Sequence, residues 1–347
     1  MRRKEKQWQS RVCAGLIVIG ICAACASAEA GCSIINGLFM SDPECPVSIP
    51  IGGSISFWVQ DAEFEEDLPA GEYTSIIEPR KQWKMDDGSW QDSYNIAGLD
   101  AGNHSISCTL IYEYRICWLD EDGNEQCDPP DTVDKEYGPK SFTVVEIDKL
   151  TCDDAISTQD DTQTAYIAIG EPGDTVTISA TPNPSGWPDD QPTWSIDNPD
   201  GSSADGQSSV ELPIDATGEF TVTASCGTSS VAIIVTVIDV TIKGYYDGST
   251  YSPWPYLGTK EDEKRKCKML IDPSGLSGTC GWSVSSSGDG DADITSGAGS
   301  DIATVLGTSG SSPEDDTQLT ADFEIAGKTF SATHDCTVID LSAQYCQ

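Results

Sequence analysis

The feature of this sequence that most constrains its fold is a short ending that occurs three times. It reads TVVEID at residues 143–148, VTVID at 235–239 and CTVID at 336–340. A tryptophan motif precedes each ending, as QWKMDD at 82–87, TWSIDN at 193–198 and GWSVSS at 281–286. Copies spaced by about 100 residues have the length of a small domain. The sequence therefore predicts three related domains in tandem.

Each copy is predicted to consist of β-strands. In GEFTVTAS, apolar Phe220, Val222 and Ala224 alternate with polar residues, which is the pattern of a strand with one buried face. The run from Val231 to Ile238 is apolar at nearly every position, as in a better-covered strand. Gly, Pro, Asn and Asp separate such runs, and helical periodicity is nearly absent. The pattern predicts an all-β fold of packed sheets.

Together these motifs resemble bacterial immunoglobulin-like repeats. The tryptophan on a central strand, the Asp-x-x-Gly turn at 215–218 and the closing Val-Thr-Val strand are similar to those of Big and PKD-like modules. The resemblance implies three tandem immunoglobulin-like β-sandwiches, at 31–149, 150–240 and 241–347. It also implies a spacer, adhesion or accessory binding role outside the cell, without catalysis.

The first thirty residues are predicted to be a cleaved signal peptide. A basic start is followed by the apolar run AGLIVIGICAACA, which is shorter than the roughly 20 residues that a membrane-spanning helix needs. Small residues then offer cleavage after Ala28 or Ala30. No later segment is apolar for long enough to anchor the chain. We expect an extracellular protein, secreted or associated with the cell surface, that has no membrane span.

The charge of the chain excludes anionic partners. Asp and Glu number 57 against 19 Lys and Arg, which gives a formal net charge of −38. Such an acidic protein repels nucleic acid and anionic lipid. The expected partners are other extracellular proteins or glycans.

The cysteines are predicted to form disulfides, because an exported chain with many cysteines is usually cross-linked. Cys117 and Cys127 flank a predicted hairpin whose loop is Glu121-Asp122-Gly123, so they face each other. Fitted to the sandwiches, Cys45 pairs with Cys108 and Cys152 pairs with Cys226. The pairing among Cys267, Cys280, Cys336 and Cys346 stays open. The candidate for the odd thiol is Cys32.

The sequence contains no recognisable catalytic motif, and the chain is predicted not to be an enzyme. His104 and His334 each lie near a cysteine on a predicted strand, where a structural role is the simpler interpretation. Asp289, Asp291 and Asp293 place oxygen atoms at alternate positions, as calcium loops do, and so does DEDGNE at 120–125. Solvated acidic turns are the preferred interpretation and a structural calcium ion is the alternative; no other cofactor is expected.

One segment, 244–258, is rich in aromatic residues: Tyr245, Tyr246, Tyr251, Trp254 and Tyr256. Aromatic rings beside polar turns can stack on sugar rings, but they can also fill the junction between the second and third repeats. The main prediction is a non-enzymatic interaction or spacer protein in adhesion or in envelope or matrix assembly. The alternative is a carbohydrate-binding protein that uses this segment. An enzyme on a β-sandwich is the third alternative.

Overall fold

A computed structural model of the chain describes residues 31–152, 163–197, 205–254, 256–260, 263–286, 291–309 and 316–339. The predicted signal peptide lies outside these residues. Within them the chain forms 21 β-strands, and no residue is α-helical. No helix in this part of the chain is long and apolar enough to cross a membrane.

The strands follow one another closely along the chain. Those of the first third are β1 (Gly31–Asp42), β2 (Val47–Pro50), β3 (Ser56–Asp67), β4 (Glu72–Met85), β5 (Gly102–Leu119), β6 (Glu125–Cys127) and β7 (Asp131–Cys152). Those of the middle third are β8 (Gln163–Ala168), β9 (Thr175–Asn183), β10 (Thr193–Ile196), β11 (Ser209–Pro213), β12 (Gly218–Cys226) and β13 (Ser229–Tyr246). The remaining strands are β14 (Ser249–Tyr251), β15 (Tyr256–Gly258), β16 (Arg265–Asp272), β17 (Thr279–Ser286), β18 (Asp291–Ser296), β19 (Ile302–Ser309), β20 (Asp316–Ile325) and β21 (Lys328–Ile339).

The buried residues of the described chain gather into three apolar cores, each of which contains one of the repeated tryptophans. Trp83 lies in the first core, Trp194 in the second and Trp282 in the third. The indole N–H of Trp194 donates to the carbonyl of Gln207 at 2.8 Å, and that of Trp282 donates to Ser300 at 2.7 Å. The rings of Trp194 and Trp282 are therefore buried with their polar atoms satisfied, as is usual for a core tryptophan.

The strand order is that of an immunoglobulin-like sandwich. In the last third, one sheet has the order β13-β16-β19-β18 and the facing sheet has the order β15-β21-β20-β17. This is the division of seven antiparallel strands into four and three, with one short strand added at an edge. That short strand pairs in parallel with the closing strand, and the same parallel pair recurs as β2 with β7 and β8 with β13. The all-β, immunoglobulin-like fold class is confirmed.

The closing strand of one sandwich is also the first strand of the next. On β7, Phe142 and Val144 belong to the first core, whereas Val145 and Leu150 belong to the second. On β13 the change from the second core to the third falls between Val237 and Ile238. The boundaries predicted at 149/150 and 240/241 therefore lie inside continuous strands rather than in linkers.

By its internal contacts the chain divides into two compact units. The first, here called the hairpin unit, comprises Met1–Leu38, Asp61–Lys81 and Thr109–Lys135. Its described part contains all of β6 and portions of β1, β3, β4, β5 and β7. The second, the sandwich unit, comprises Phe39–Gln60, Gln82–Cys108 and Glu136–Gln347 and holds the three cores. The segment 31–149, which was predicted as one domain, is thus divided between both units.

Candidate functional site

The aromatic segment forms a β-hairpin and the turn that follows it. β13 and β14 pair antiparallel, with Gly244 opposite Tyr251 and Tyr246 opposite Ser249. Asp247 and Gly248 make the turn with φ of 46° and 82°, the left-handed pair that a tight hairpin requires. The side chains of Tyr246, Tyr251 and Tyr256 are 75%, 43% and 57% exposed.

The close fit at Gly244 and a cation–π contact fix two of the tyrosine rings of this hairpin. A Cβ atom at Gly244 would come within 2.3 Å of the Tyr251 ring, so only glycine leaves room for the ring beside the strand. The Nζ atom of Lys268 lies 5.7 Å from the centre of the half-buried Tyr245 ring, within the range of a cation–π interaction.

Trp254 differs from the tyrosines because it packs against the third core. Its carbonyl accepts a hydrogen bond from Nε2 of His334 at 2.8 Å, and the two rings meet edge to face at 6.0 Å. Its indole N–H is buried and has no partner among the described residues. The structure therefore divides the predicted sugar platform: Trp254 is part of the packing, whereas Tyr246, Tyr251 and Tyr256 face solvent.

The acidic loops use their carboxylates for local hydrogen bonds. Asp289 lies outside the described residues. Asp291 lies at the start of β18, where its Oδ1 accepts from Ser286 and from the amide of Ala292, and Asp293 lies on the same strand. The calcium prediction for these three residues stays a prediction.

The second acidic loop closes the β5–β6 hairpin. Oδ1 of Asp120 accepts from the backbone amides of Asp122 and Asn124 at 2.9 and 2.8 Å. The Asn124 amide is the main cause of the lowered pKa of Asp120. Gly123 has φ of 78°, as the predicted three-residue loop requires. Asp120 thus stabilises the turn itself.

The predicted Cys117–Cys127 disulfide is confirmed. The two residues are direct partners across β5 and β6, with an S–S distance of 2.11 Å. A carboxylate oxygen of Glu125 lies within 4.8 Å of both sulfur atoms. This group does not form a metal site, because disulfide sulfurs lack the thiolate charge that binds metals.

The other two predicted bridges are not formed in the structure. The thiol of Cys226 donates to the carbonyl of Val145 at 3.4 Å, and burial raises its pKa to about 11. Cys152 lies further along the same strand as Val145, and the stretch between them spans roughly 23 Å at about 3.3 Å per residue. Cys45 is a free thiol that packs against the first core, to which Cys108 belongs.

Cys32, the candidate for the odd thiol, lies in the hairpin unit beside Tyr114. Partial burial raises the pKa of the Cys32 thiol, although a hydrogen bond with Tyr114 opposes this effect. Burial is also the main cause that raises the pKa of Tyr114 to about 12. The neighbouring Cys32 and Asp131 act in the same direction, and the Tyr114 hydroxyl donates to Asp131 at 3.3 Å. A thiol with a raised pKa is a weak nucleophile, so Cys32 is not activated.

A histidine and an aspartate that the sequence does not link lie together beside a cleft of about 390 Å³. Nδ1 of His104 is 2.9 Å from Oδ2 of Asp86, and Nε2 is 3.0 Å from the carbonyl of Asp100. Burial lowers the pKa of His104, but the two hydrogen bonds and the nearby charges outweigh it, so the pKa is raised. Only the protonated ring satisfies both acceptors. In that form His104 has no lone pair with which to act as a base.

Comparisons with known proteins give likenesses of architecture alone. No protein-family model matches the chain, and no curated protein matches its sequence. Among solved structures, the three N-terminal domains of the bacteriophage RB49 outer capsid protein Hoc match 90% of this chain and 100% of theirs, with 12% identity and a TM-score of 0.37. An I-band fragment of titin matches 87% of this chain and 98% of its own, with 11% identity and a TM-score of 0.28. Extracellular domains 3–5 of Drosophila OTK match 89% of this chain and 97% of theirs, with 11% identity and a TM-score of 0.25. The fold assignment rests on the strand order and not on these low scores.

Proposed function

We propose that this chain is a non-enzymatic extracellular interaction protein whose immunoglobulin-like sandwiches act as a stiff spacer. The observation that carries the proposal is the sharing of β7 and β13 between successive cores. Flexible domain linkers are exposed, rich in Gly, Pro and polar residues, and poor in contacts. Here the connecting residues belong to paired strands, so bending at a junction would break ladder hydrogen bonds.

At the first junction, the turn between β12 and β13 touches the first sandwich. The amide of Thr228 donates to the carbonyl of Ile51 at 2.9 Å, and the amide of Ile51 donates to Val145 at 2.8 Å. Gly227 has φ of 61°, and a Cβ atom there would lie 2.0 Å from the Ile51 carbonyl oxygen. The hairpin turn and the first sandwich are therefore in backbone contact.

At the second junction, residues of the second sandwich enter the third. Tyr166 on β8 packs against the third core, and its carbonyl accepts from Nζ of Lys328 at 2.9 Å. Oγ1 of Thr217 donates to the carboxylate of Asp272 at 2.6 Å. Side-chain and apolar contacts thus reinforce the continuous strand.

Residual dipolar couplings of the strand amides test the spacer. We expect a single alignment tensor to fit the couplings of β9–β12 together with those of β16–β21. A matched variant with a Gly-Ser insertion between Asp239 and Val240 should require two tensors. If the parent chain also requires two independent tensors, the spacer function is wrong.

The extracellular placement has its own test. Fractionation of producing cells should recover the protein outside the cytoplasm, with a new N-terminus directly after Ala28 or Ala30. A chain that is retained inside the cell with residues 1–30 intact would contradict the proposal.

A second candidate, glycan binding, is favoured by the three exposed tyrosines Tyr246, Tyr251 and Tyr256. Exposed aromatic faces stack on the apolar faces of sugars. A glycan array with the parent chain, the double variant Tyr246→Ala/Tyr256→Ala and the control Tyr73→Ala tests it. We expect the double variant alone to lose binding. A parent chain that binds no glycan removes this candidate.

A further inference from the structure

The hairpin unit carries an exposed apolar patch on a well-fixed frame. Leu119 is 62% exposed and Tyr73 is 41% exposed. The Tyr73 hydroxyl donates to the carboxylate of Glu125, and Glu125 is the direct cross-strand partner of Leu119. Tyr73, Leu119 and Glu125 therefore lie side by side; they are called the Tyr73 patch below.

The frame under this patch is held by covalent, polar and aromatic contacts. Cys117 precedes Leu119 by two residues and so shares its face of the strand, where it is bonded to Cys127. The Asp120 turn closes the same hairpin. The ring of Phe64 lies 5.3 Å from that of Tyr112 and 5.6 Å from that of Tyr114. A fixed surface loses little conformational entropy when a partner binds.

The hairpin unit that carries the patch is strongly acidic, and the acidic turn at 120–122 follows Leu119 directly in the chain. The described part of the hairpin unit contains 15 Asp or Glu against 4 Lys or Arg. Two copies of this surface would repel each other, and a nucleic acid would be repelled as well. Surfaces that bind each other are complementary in charge around an apolar centre. The complement of this surface is apolar in the middle and rich in Lys or Arg at its edge.

We propose that the Tyr73 patch is the docking surface for a protein segment in which apolar residues alternate with Lys or Arg. Leu119 and the face of Tyr73 supply the apolar contact. The Glu125 carboxylate pairs with one cation, and the surrounding acids attract the others. The proposal deepens the proposed interaction function, on which it rests, by naming the partner class and the docking surface.

The test uses the full chain and two synthetic peptides of similar charge. The probe is an LKLKLKL peptide with blocked ends, and the control peptide KSKSKSK carries at least as much positive charge but no apolar residue. Calorimetry should show binding of the probe and much weaker binding of the control. Amide shifts should change at Tyr73, Leu119 and Glu125. Equal binding of both peptides, or shifts confined to the β13–β14 hairpin, would overturn the proposal.

Three variants separate the docking surface from general electrostatics. We expect Leu119→Ser to weaken the probe about tenfold, since burying one leucine accounts for about that factor. Tyr73→Ser should act in the same direction, whereas Tyr246→Ser, on an exposed tyrosine of the sandwich unit, should have no effect. Because Leu119 is exposed, an unchanged melting temperature will show that its variant is folded.

Other occupants give distinguishable results that also overturn the proposal. Dimers of the chain in sedimentation that Leu119→Ser abolishes would identify a second copy as the occupant. Glycan-array binding that Tyr73→Ala abolishes would identify a sugar. The dipolar couplings of the free chain report on the spacer alone. A negative peptide result with a single alignment tensor therefore removes the docking surface and leaves the spacer.

Discussion

Replacing Gly227 by alanine should weaken the first junction between sandwiches. Gly227 has φ of 61°, a backbone conformation that residues with a Cβ atom seldom adopt. The added Cβ would also stand 2.0 Å from the carbonyl oxygen of Ile51 and 3.0 Å from the Pro50 side chain. The nearest of these neighbours is backbone, which cannot rotate away, so the turn itself must move.

The loss of unfolding free energy expected for Gly227→Ala has two parts. Left-handed φ costs a residue with a Cβ atom about 1–2 kcal/mol. Movement of the turn adds the loss of the hydrogen bond from Thr228 to Ile51, which contributes about 0.5–1.5 kcal/mol, and the loss of van der Waals contacts around it. Gly248→Ala is the matched control, because Gly248 has φ of 82° and nothing within 4 Å of its added Cβ. We expect Gly227→Ala to cost about 1–2 kcal/mol more than Gly248→Ala.

Hydrogen exchange and calorimetry measure this difference. The Thr228 and Ile51 amides should exchange about 10-fold faster or more in Gly227→Ala, whereas Gly248→Ala should leave them unchanged. Calorimetry should show the first sandwich unfolding separately from the other two only in Gly227→Ala. Equal destabilisation by both substitutions, with the Thr228 amide still protected from exchange, would show that contact between the turn and the first sandwich does not stabilise the junction.

Three further predictions concern other contacts. Because the pKa of His104 is raised, its contribution to stability is fully present below about pH 6.5 and is lost as the pH rises through the folded-state pKa. As the pH is raised above about 6.5, the urea midpoint of the parent chain should therefore fall relative to that of His104→Gln. A difference between the two midpoints that does not change with pH would contradict this. Removing the Cys117–Cys127 disulfide by a double serine substitution should lower the unfolding free energy of the hairpin unit by about 2–3 kcal/mol in urea titrations, since the bridge closes a loop with a sequence separation of 10. Trp194→Phe should cost about 1–3 kcal/mol by the same assay, because the carbonyl of Gln207 loses its donor and the smaller ring leaves space.

The sequence was a good guide wherever one local rule decided the outcome. The alternation at Phe220, Val222 and Ala224 and the repeated tryptophans identify the strands and the three cores. Gly123 and the spacing of Cys117 and Cys127 identify the hairpin, because loop length and a left-handed residue fix its register. These features depend on neighbours in sequence, so they can be read without the fold.

Contacts between distant residues were harder to infer. Asp86 and His104 lie on different segments and become partners only when β4 and β5 are placed side by side. The Cys152–Cys226 prediction was wrong for a related reason. It assumed that both cysteines lie at one pole, whereas β7 extends away from Cys226 for several residues before it reaches Cys152. Nothing local in the sequence gives the length of β7.

The same limit applies to the junctions between the domains. The repeated endings at 143–148 and 235–239 predict the ends of domains, because each closes a motif. In the structure both endings continue into the next core, since apolar residues on either side of Val144 and Val237 remain in strand conformation. A boundary made of paired strand contains no flexible linker, so composition alone does not show where one core ends and the next begins. The exposed apolar patch of Tyr73 and Leu119 lies in the hairpin unit, where no repeated motif marks it in the sequence.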